Sequence, residues 1–317
     1  MTKPVAFIDL FAGMGGFTTG AIDAGAVCIV SVDSWSESNR VHKANHPTAP
    51  ILNIELGHDS HWRIFKRMVD EWRRMGYHVH IHGSPPCQAL SNASTRNPED
   101  GMVLVRWFLD LVDRCDPDSW SMENVVPVRK RLPEGTPSVV LNSADFGVPQ
   151  TRRRCYAGAG WEAEPTHTKE EWVSVIEALP QLARELVGYS PVPSMAKHFA
   201  TRTPDGPYPT VTSQSPGQLK IMVNSAGCGK STSKGGVSRD STLDSPSKTI
   251  HNNTPSLRDT TDKATKIRSL TLPETLVLQG FPADYDLSAA TTQKARWTMV
   301  GNAVPPPVAA AVIRGIQ

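Results

Sequence analysis

The most constraining feature of this chain is an alternation. Over the first 180 residues, apolar runs of strand length take turns with helical patterns, the βαβ signature of a parallel sheet covered by helices. Four strand candidates stand out: VAFIDLF (5–11), VCIVSVD (27–33), HVHIHG (78–83) and SWSMENV (119–125). Between the second and third, Trp62, Phe65, Met68, Val69, Trp72 and Met75 recur at three- and four-residue steps, one face of a helix. A second helix is expected over 102–115. At the far end PPPVAAAVIRGI opens on prolines and continues in good helix formers, so a last helix is expected to pack back on the main body.

In an open parallel sheet, ligands bind beyond the carboxyl ends of the strands. The first strand runs into Ala12-Gly13-Met14-Gly15-Gly16-Phe17, where glycines admit a ligand or a neighbouring backbone, although a plain tight turn reads the same way. The second ends at Asp33, twenty residues after Gly13. A carboxylate there can bond ribose hydroxyls, or it can cap the helix suggested by 34–45. Together these features favour an adenosine-containing ligand. The third strand runs into Gly83-Ser84-Pro85-Pro86-Cys87-Gln88. An isolated cysteine is more often a buried structural one, but here two prolines stiffen its mount beside the crevice, next to polar Gln88 and Ser91. The fourth strand ends in Glu123-Asn124-Val125. Its carboxylate is placed to act as an acid or hydrogen-bond partner, with a capping or salt-bridging role as the alternative. Further on stands Gln150-Thr151-Arg152-Arg153-Arg154. Alternate strand residues share a face, so Arg152 and Arg154 are placed to meet one anionic group, unless this is an exposed basic edge.

The net charge of +2 hides an uneven spread. Residues 185–268 carry eleven Lys or Arg and six Asp or Glu, a balance of +5, which leaves −3 for the rest. From 201 to 265 there are 21 Ser or Thr in 65 positions, too polar a stretch to build a large core. It also holds a degenerate repeat, Asp205-Gly-Pro-Tyr-Pro-Thr-Val211 and Asp244-Ser-Pro-Ser-Lys-Thr-Ile250. The expected organisation is a large domain over 1–184, a small loop-rich β module over 185–268, and a return to the large domain over 269–317.

The ordered set DLFAGMGG, GSPPCQALS, ENV, QTRRR, RSLTLPETLVLQGFP and GNAVPPP resembles the cytosine-5 DNA methyltransferase family of bacteria and their phages, and it spans 8–307. The resemblance implies a Rossmann-like, mostly parallel α/β catalytic domain with a small target-recognition domain. It implies S-adenosylmethionine as methyl donor, no metal, and a cytosine flipped out of double-stranded DNA. Cys87 would attack the base, Glu123 would meet its ring nitrogen, and Arg152 and Arg154 would hold base and backbone. The donor site would comprise Phe11, Gly13, Gly15, Asp33, Asn53, Pro86, Leu104, Asn302 and Val304. Asn53 departs from the family, which has Asp there. DNA contacts are expected from Gln88, Ser91, Gln150, Lys230 and Lys234. A cytoplasmic monomer is expected, and the sequence leaves two arrangements open, a cognate restriction endonuclease acting on the same site or an enzyme that works alone, as in a phage protecting its genome.

The rest narrows the field. Five cysteines with no C-x-x-C pair argue against a disulfide framework or a zinc site. No apolar run is long enough to span a membrane and no signal-peptide layout opens the chain. Asn224-Ser-Ala-Gly-Cys-Gly-Lys230-Ser231 imitates a phosphate-binding loop but has Asn where that loop needs Gly, and no helical pattern follows. The rivals are a tRNA cytosine-5 methyltransferase and a catalytically silent DNA-binding regulator of the same fold.

Overall fold

A computed structural model describes residues 2–87, 90, 97–185, 190–191, 208–209, 220–224 and 265–316. In chain order the main body comprises β1 (Val5–Leu10), α1 (Gly16–Asp23), β2 (Val27–Asp33), α2 (Ser36–Asn45), β3 (Ile51–Asn53), α3 (Trp62–Arg74), β4 (His78–Gly83), α4 (Pro98–Cys115), β5 (Ser119–Asn124), β6 (Ser138–Asn142), β7 (Gln150–Thr151), β8 (Arg153–Ala159), α5 (Val175–Ala178) and α6 (Pro180–Glu185). The short strands β9 (Ser190–Pro191), β10 (Tyr208–Pro209), β11 (Lys220–Asn224) and β12 (Thr265–Ser269) follow, then α7 (Leu272–Leu278), α8 (Gln293–Asn302) and α9 (Pro306–Arg314).

Five of the six residues of β1 are buried, as a near-continuous apolar strand covered on both faces requires. The seven-stranded sheet has the order β3-β2-β1-β4-β5-β8-β6, so the expected α/β architecture holds. All neighbours from β3 to β5 are parallel, and β8 then runs antiparallel between β5 and β6. The chain winds outward in both directions from β1, which creates a crevice at the carboxyl ends of β1 and β4, the topological switch point. The four strands read from sequence form at the expected places. The second expected helix begins earlier, because Asn97 accepts from the Glu99 amide at 3.1 Å and Pro98 opens the first turn of α4.

On one face, α1 lies between the sheet and α9. Gly20 makes this possible, since a Cβ there would stand 1.9 Å from the Pro306 carbonyl oxygen. The C-terminal helix α9 therefore packs directly on α1. Beneath α1 the sheet carries a buried polar row, because Asp9 of β1 stands beside Ser31 on one neighbour and His82 on the other. Thr18 of α1 donates to Asp9 at 2.7 Å. Ser119 bridges His78 and His80, and Ser121 bridges His80 and His82, all at 2.8 Å. Phe17 stacks on the His82 ring at 3.6 Å.

Of the expected basic module, the described residues form a three-stranded antiparallel sheet, β12-β11-β9, and the strand β10, which pairs with β7. The first repeat unit thus contributes Tyr208 and Pro209 to a pairing with Gln150 and Thr151. The second unit, and the Lys230 and Lys234 loop, lie outside the described residues.

Candidate active site

The glycine turn after β1 is held in an unusual backbone path. Phe11 adopts φ 59°, a left-handed conformation that costs a non-glycine residue energy, and Gly15 at φ 97° precedes the first turn of α1. Asp33 pins the turn. One carboxylate oxygen accepts from the Gly13 amide at 2.9 Å and the other from the Trp35 amide at 2.8 Å. The helix-cap alternative for Asp33 and the ligand-loop reading therefore meet in one residue, which ties the glycine loop to the start of α2. Tyr285 hydroxyl donates to the Met14 carbonyl and supports the same turn from the C-terminal segment.

Asn53 ends β3, exposed at the same edge of the sheet. One end of its amide faces the carbonyl oxygens of Ser34 and Asp33 at 3.0 and 3.3 Å, which an N–H answers and a carboxylate does not, and the Asn39 amide nitrogen at 3.0 Å. That gives a physical reason for Asn where the resemblance leads one to expect Asp. Leu104 of α4 is half-buried against the Gly57 backbone, Pro86 is exposed, Asn302 is exposed at the end of α8, and Val304 is buried in the core between α1 and α9.

Cys87 follows β4 on a stiffened segment. Ser84 donates from its hydroxyl to the Phe11 carbonyl at 3.1 Å, and Asn124 donates to the Pro85 carbonyl at 3.1 Å. The thiol is thus referenced to both β1 and β5. Around it stand Glu123, Arg154 and Arg152. Arg154 Nε lies 3.1 Å from Glu123 Oε1, both side chains mostly buried. Burial first, and the Glu123 carboxylate second, push the Cys87 thiol above the ordinary cysteine range, while the guanidiniums of Arg154 and Arg152 pull the other way. Arg152 is buried, which lowers its pKa to about 10, and it donates to the Gly301 carbonyl at 3.1 Å. The two arginines do share one neighbourhood, but Arg152 also reaches toward the residue before Asn302.

Gln150 is placed differently from the expectation of a DNA contact. It is fully buried, and its amide donates to the Leu278 carbonyl at 2.9 Å and to Gln279 at 2.7 Å. Gln88 and Ser91, like Lys230 and Lys234, lie outside the described residues. Sequence reasoning passed over Ser84, Asn124, Gln279 and Gly301, although all four stand inside the quoted motifs. Among the described residues no group of three or more His, Cys, Asp or Glu is arranged to hold a metal ion, and no helix is long and apolar enough to cross a membrane.

A sheet switched at β1, with glycine loop, acidic residue and strand-end cysteine at one edge, defines a Rossmann-like methyltransferase fold. Two solved structures share it over the whole length. A putative DNA modification methyltransferase encoded within an E. coli prophage covers 98% of both chains at a TM-score of 0.57 and 17% identity. A Spodoptera frugiperda DNMT2 variant also covers 98% of both, at 0.58 and 16%. A family model described as C-5 cytosine-specific DNA methylase matches residues 5–132 and 135–317, and the chain belongs to that family. Among curated relatives, the Type II methyltransferase M1.HphI of Haemophilus parahaemolyticus is 26% identical over 359 aligned positions, covering 98% of this chain and 86% of that one. M.HindV of Haemophilus influenzae is 29% identical over 160, covering 46% of this chain; there the match spans half of the relative's length.

Proposed function

We propose that the protein is a DNA (cytosine-5-)-methyltransferase. It takes a methyl group from S-adenosylmethionine to carbon 5 of a cytosine flipped out of a specific duplex sequence, through a covalent Cys87 adduct. The observation that carries this reading is the arrangement of Cys87, Glu123, Arg152 and Arg154 beside a glycine loop pinned by Asp33. The donor fits the edge of the sheet in chemistry. Phe11, Gly13 and Gly15 would border its methionine part, Asp33 its ribose, Asn53, Pro86 and Leu104 its adenine and sulfonium, and Asn302 and Val304 the far wall. When bound, it supplies an electrophilic methyl group on a sulfonium.

Carbon 5 of cytosine is a weak nucleophile, and Cys87 changes that. Its sulfur bonds carbon 6, which makes the ring an enamine whose carbon 5 accepts the methyl group. Glu123 meets ring nitrogen 3, which takes up the proton that the Cys87 thiol gives up, so that negative charge does not build up on the ring. Afterwards water takes the carbon 5 proton, the bond to Cys87 breaks, and the thiolate is regenerated. Flipping the base costs a few kcal/mol and is unavoidable, because carbon 6 is shielded inside the stack.

The basic 185–268 module, at +5, would grip phosphates and read groove edges, while the 1–184 and 269–317 portions hold donor and base. A restriction endonuclease of the same specificity as partner accords with relatives that are named Type II methyltransferases, and the reading takes the protein as a cytoplasmic monomer. Bisulfite sequencing of DNA from cells expressing the protein, with Cys87→Ser as control, tests the reading. Methylated cytosines in one sequence context, absent with Cys87→Ser, are expected. Label from the donor appearing in tRNA and never in DNA overturns it.

A further inference from the structure

Gln150 stands at a junction of three segments that are far apart in sequence. Its backbone belongs to β7, paired with Tyr208 of β10. Its side-chain amide donates to the Leu278 carbonyl at 2.9 Å and to Gln279 Oε1 at 2.7 Å. Gln279, also fully buried, passes the link on by donating to the Ala303 carbonyl at 2.8 Å. Two residues after Gln150, Arg152 donates to the Gly301 carbonyl at 3.1 Å, and two further on Arg154 meets Glu123 at 3.1 Å. The segment 301–304, which bears Asn302 and Val304, is therefore held by carbonyl oxygens on both sides of Asn302, and both holds lead back to the 150–154 segment.

Each link is directional. A carbonyl oxygen only accepts, so Ala303 requires an N–H from Gln279, which leaves the Gln279 oxygen to face Gln150, which must then donate. Leu278 adds a second acceptor toward the Gln150 amide nitrogen. The orientation of both amides is fixed by these carbonyls, and in a buried setting such a network is rigid when complete and costly when broken.

We propose that Gln150 and Gln279, both fully buried, are positioning residues that set the donor-side 301–304 segment by reference to the 150–154 segment at the base-binding side. The inference rests on the donor and base sites proposed above. Loss of Gln279 frees the Ala303 carbonyl from its anchor, loss of Gln150 leaves the Gln279 oxygen without its donor and the link loose, and either weakens donor binding at a distance.

The test is isothermal titration of S-adenosylhomocysteine, with donor KM and single-turnover rate, on wild type, Gln150→Leu, Gln279→Leu, the double variant and Gln279→Glu. In Gln279→Glu the Gln150 amide keeps an acceptor but Ala303 loses its donor. Donor dissociation constants are expected to rise roughly tenfold in each single variant, within the range typical of coupling between sites. The double variant is expected to be no worse than the worse single one, because a chain broken twice is still one broken chain. Gln279→Glu is expected to match Gln279→Leu. Variants that bind within twofold of wild type, or losses that simply add, overturn the inference while the methyltransferase reading stands. A wild type that binds no donor analogue overturns both.

Discussion

Lowering the pH from 7.5 to 5.5 is expected to cost the folded chain about 2 kcal/mol, and His42→Leu is expected to remove more than half of that cost. Three histidines are fully buried. Burial, aided by His78, brings His80 down to about 3, and burial with His80 beside it takes His82 well below the ordinary range. His42 falls to about 3 through burial, then through His46 and Lys43. A histidine depressed in the fold takes up its proton only when unfolded between pH 6.5 and its folded value. Its contribution is complete above 6.5 and is lost as the pH drops below it. For each group the loss between 7.5 and 5.5 is about 1.4 kcal/mol, roughly 4 for three.

Asp9 opposes them. Burial outweighs its bond from Thr18 and raises it to about 7. An acid raised in this way binds its proton more readily folded than unfolded, so the same change of pH returns about 2 kcal/mol. The histidines win, and His46 and His78, also held below the ordinary range mainly by burial, add to their side. His42 isolates the effect because neither of its ring nitrogens has a hydrogen-bond partner among the described residues. Leu at that position forfeits no bond and cannot titrate. Urea unfolding followed by the fluorescence of the eight tryptophans measures both quantities. Equal stability at the two pH values, or a His42→Leu curve parallel to wild type, refutes the reasoning.

Asp33→Ala strips the Gly13 and Trp35 amides of their acceptor, and a loss of about 1–3 kcal/mol in stability is expected together with weaker donor binding; an unchanged donor dissociation constant speaks against the pinned loop. Asn53→Asp sets a carboxylate against the carbonyl oxygens of Ser34 and Asp33, so it is expected to lower thermal stability and leave donor affinity no better, and a tighter complex in titration calorimetry contradicts the assignment. Gly20→Ala drives a methyl group into the Pro306 carbonyl, and a destabilisation of roughly 3 kcal/mol or more, read from the unfolding midpoint, is expected as α9 is pushed off α1.

What the sequence revealed was local. VCIVSVD and HVHIHG are strands at the expected residues because β-branched and apolar side chains bounded by turn residues state their own structure. What stayed hidden depends on distant partners. The 153–159 strand looks no different antiparallel than parallel, and only its neighbours, Trp120 to Asn124 on one side and Ser138 to Asn142 on the other, decide its direction. Gln150 shows the same limit in the site. In the sequence it is a polar residue beside three arginines, and polarity there suggests a surface facing DNA. Its burial follows from Gln279, 129 positions later, which supplies an acceptor inside the core.

The histidines of β4 carry this point further. His78, His80 and His82 alternate with Val79 and Ile81, a period-two pattern that ordinarily marks one apolar and one solvated face. Here α1 covers the polar face, and Ser119 and Ser121, alternating in step on β5, take the place of water along it. The covering helix is the one that begins at the glycine loop. A chain that needed only a stable core would place Leu or Val beneath such a helix, at no risk from acid. The polar row fixes α1 by directional bonds from Thr18 to Asp9 and by the stacking of Phe17 on His82, rather than by apolar contact that tolerates sliding. Its cost is the loss of stability in acid, and its product is a defined position for Gly15 and Gly16, where the glycine loop becomes a helix.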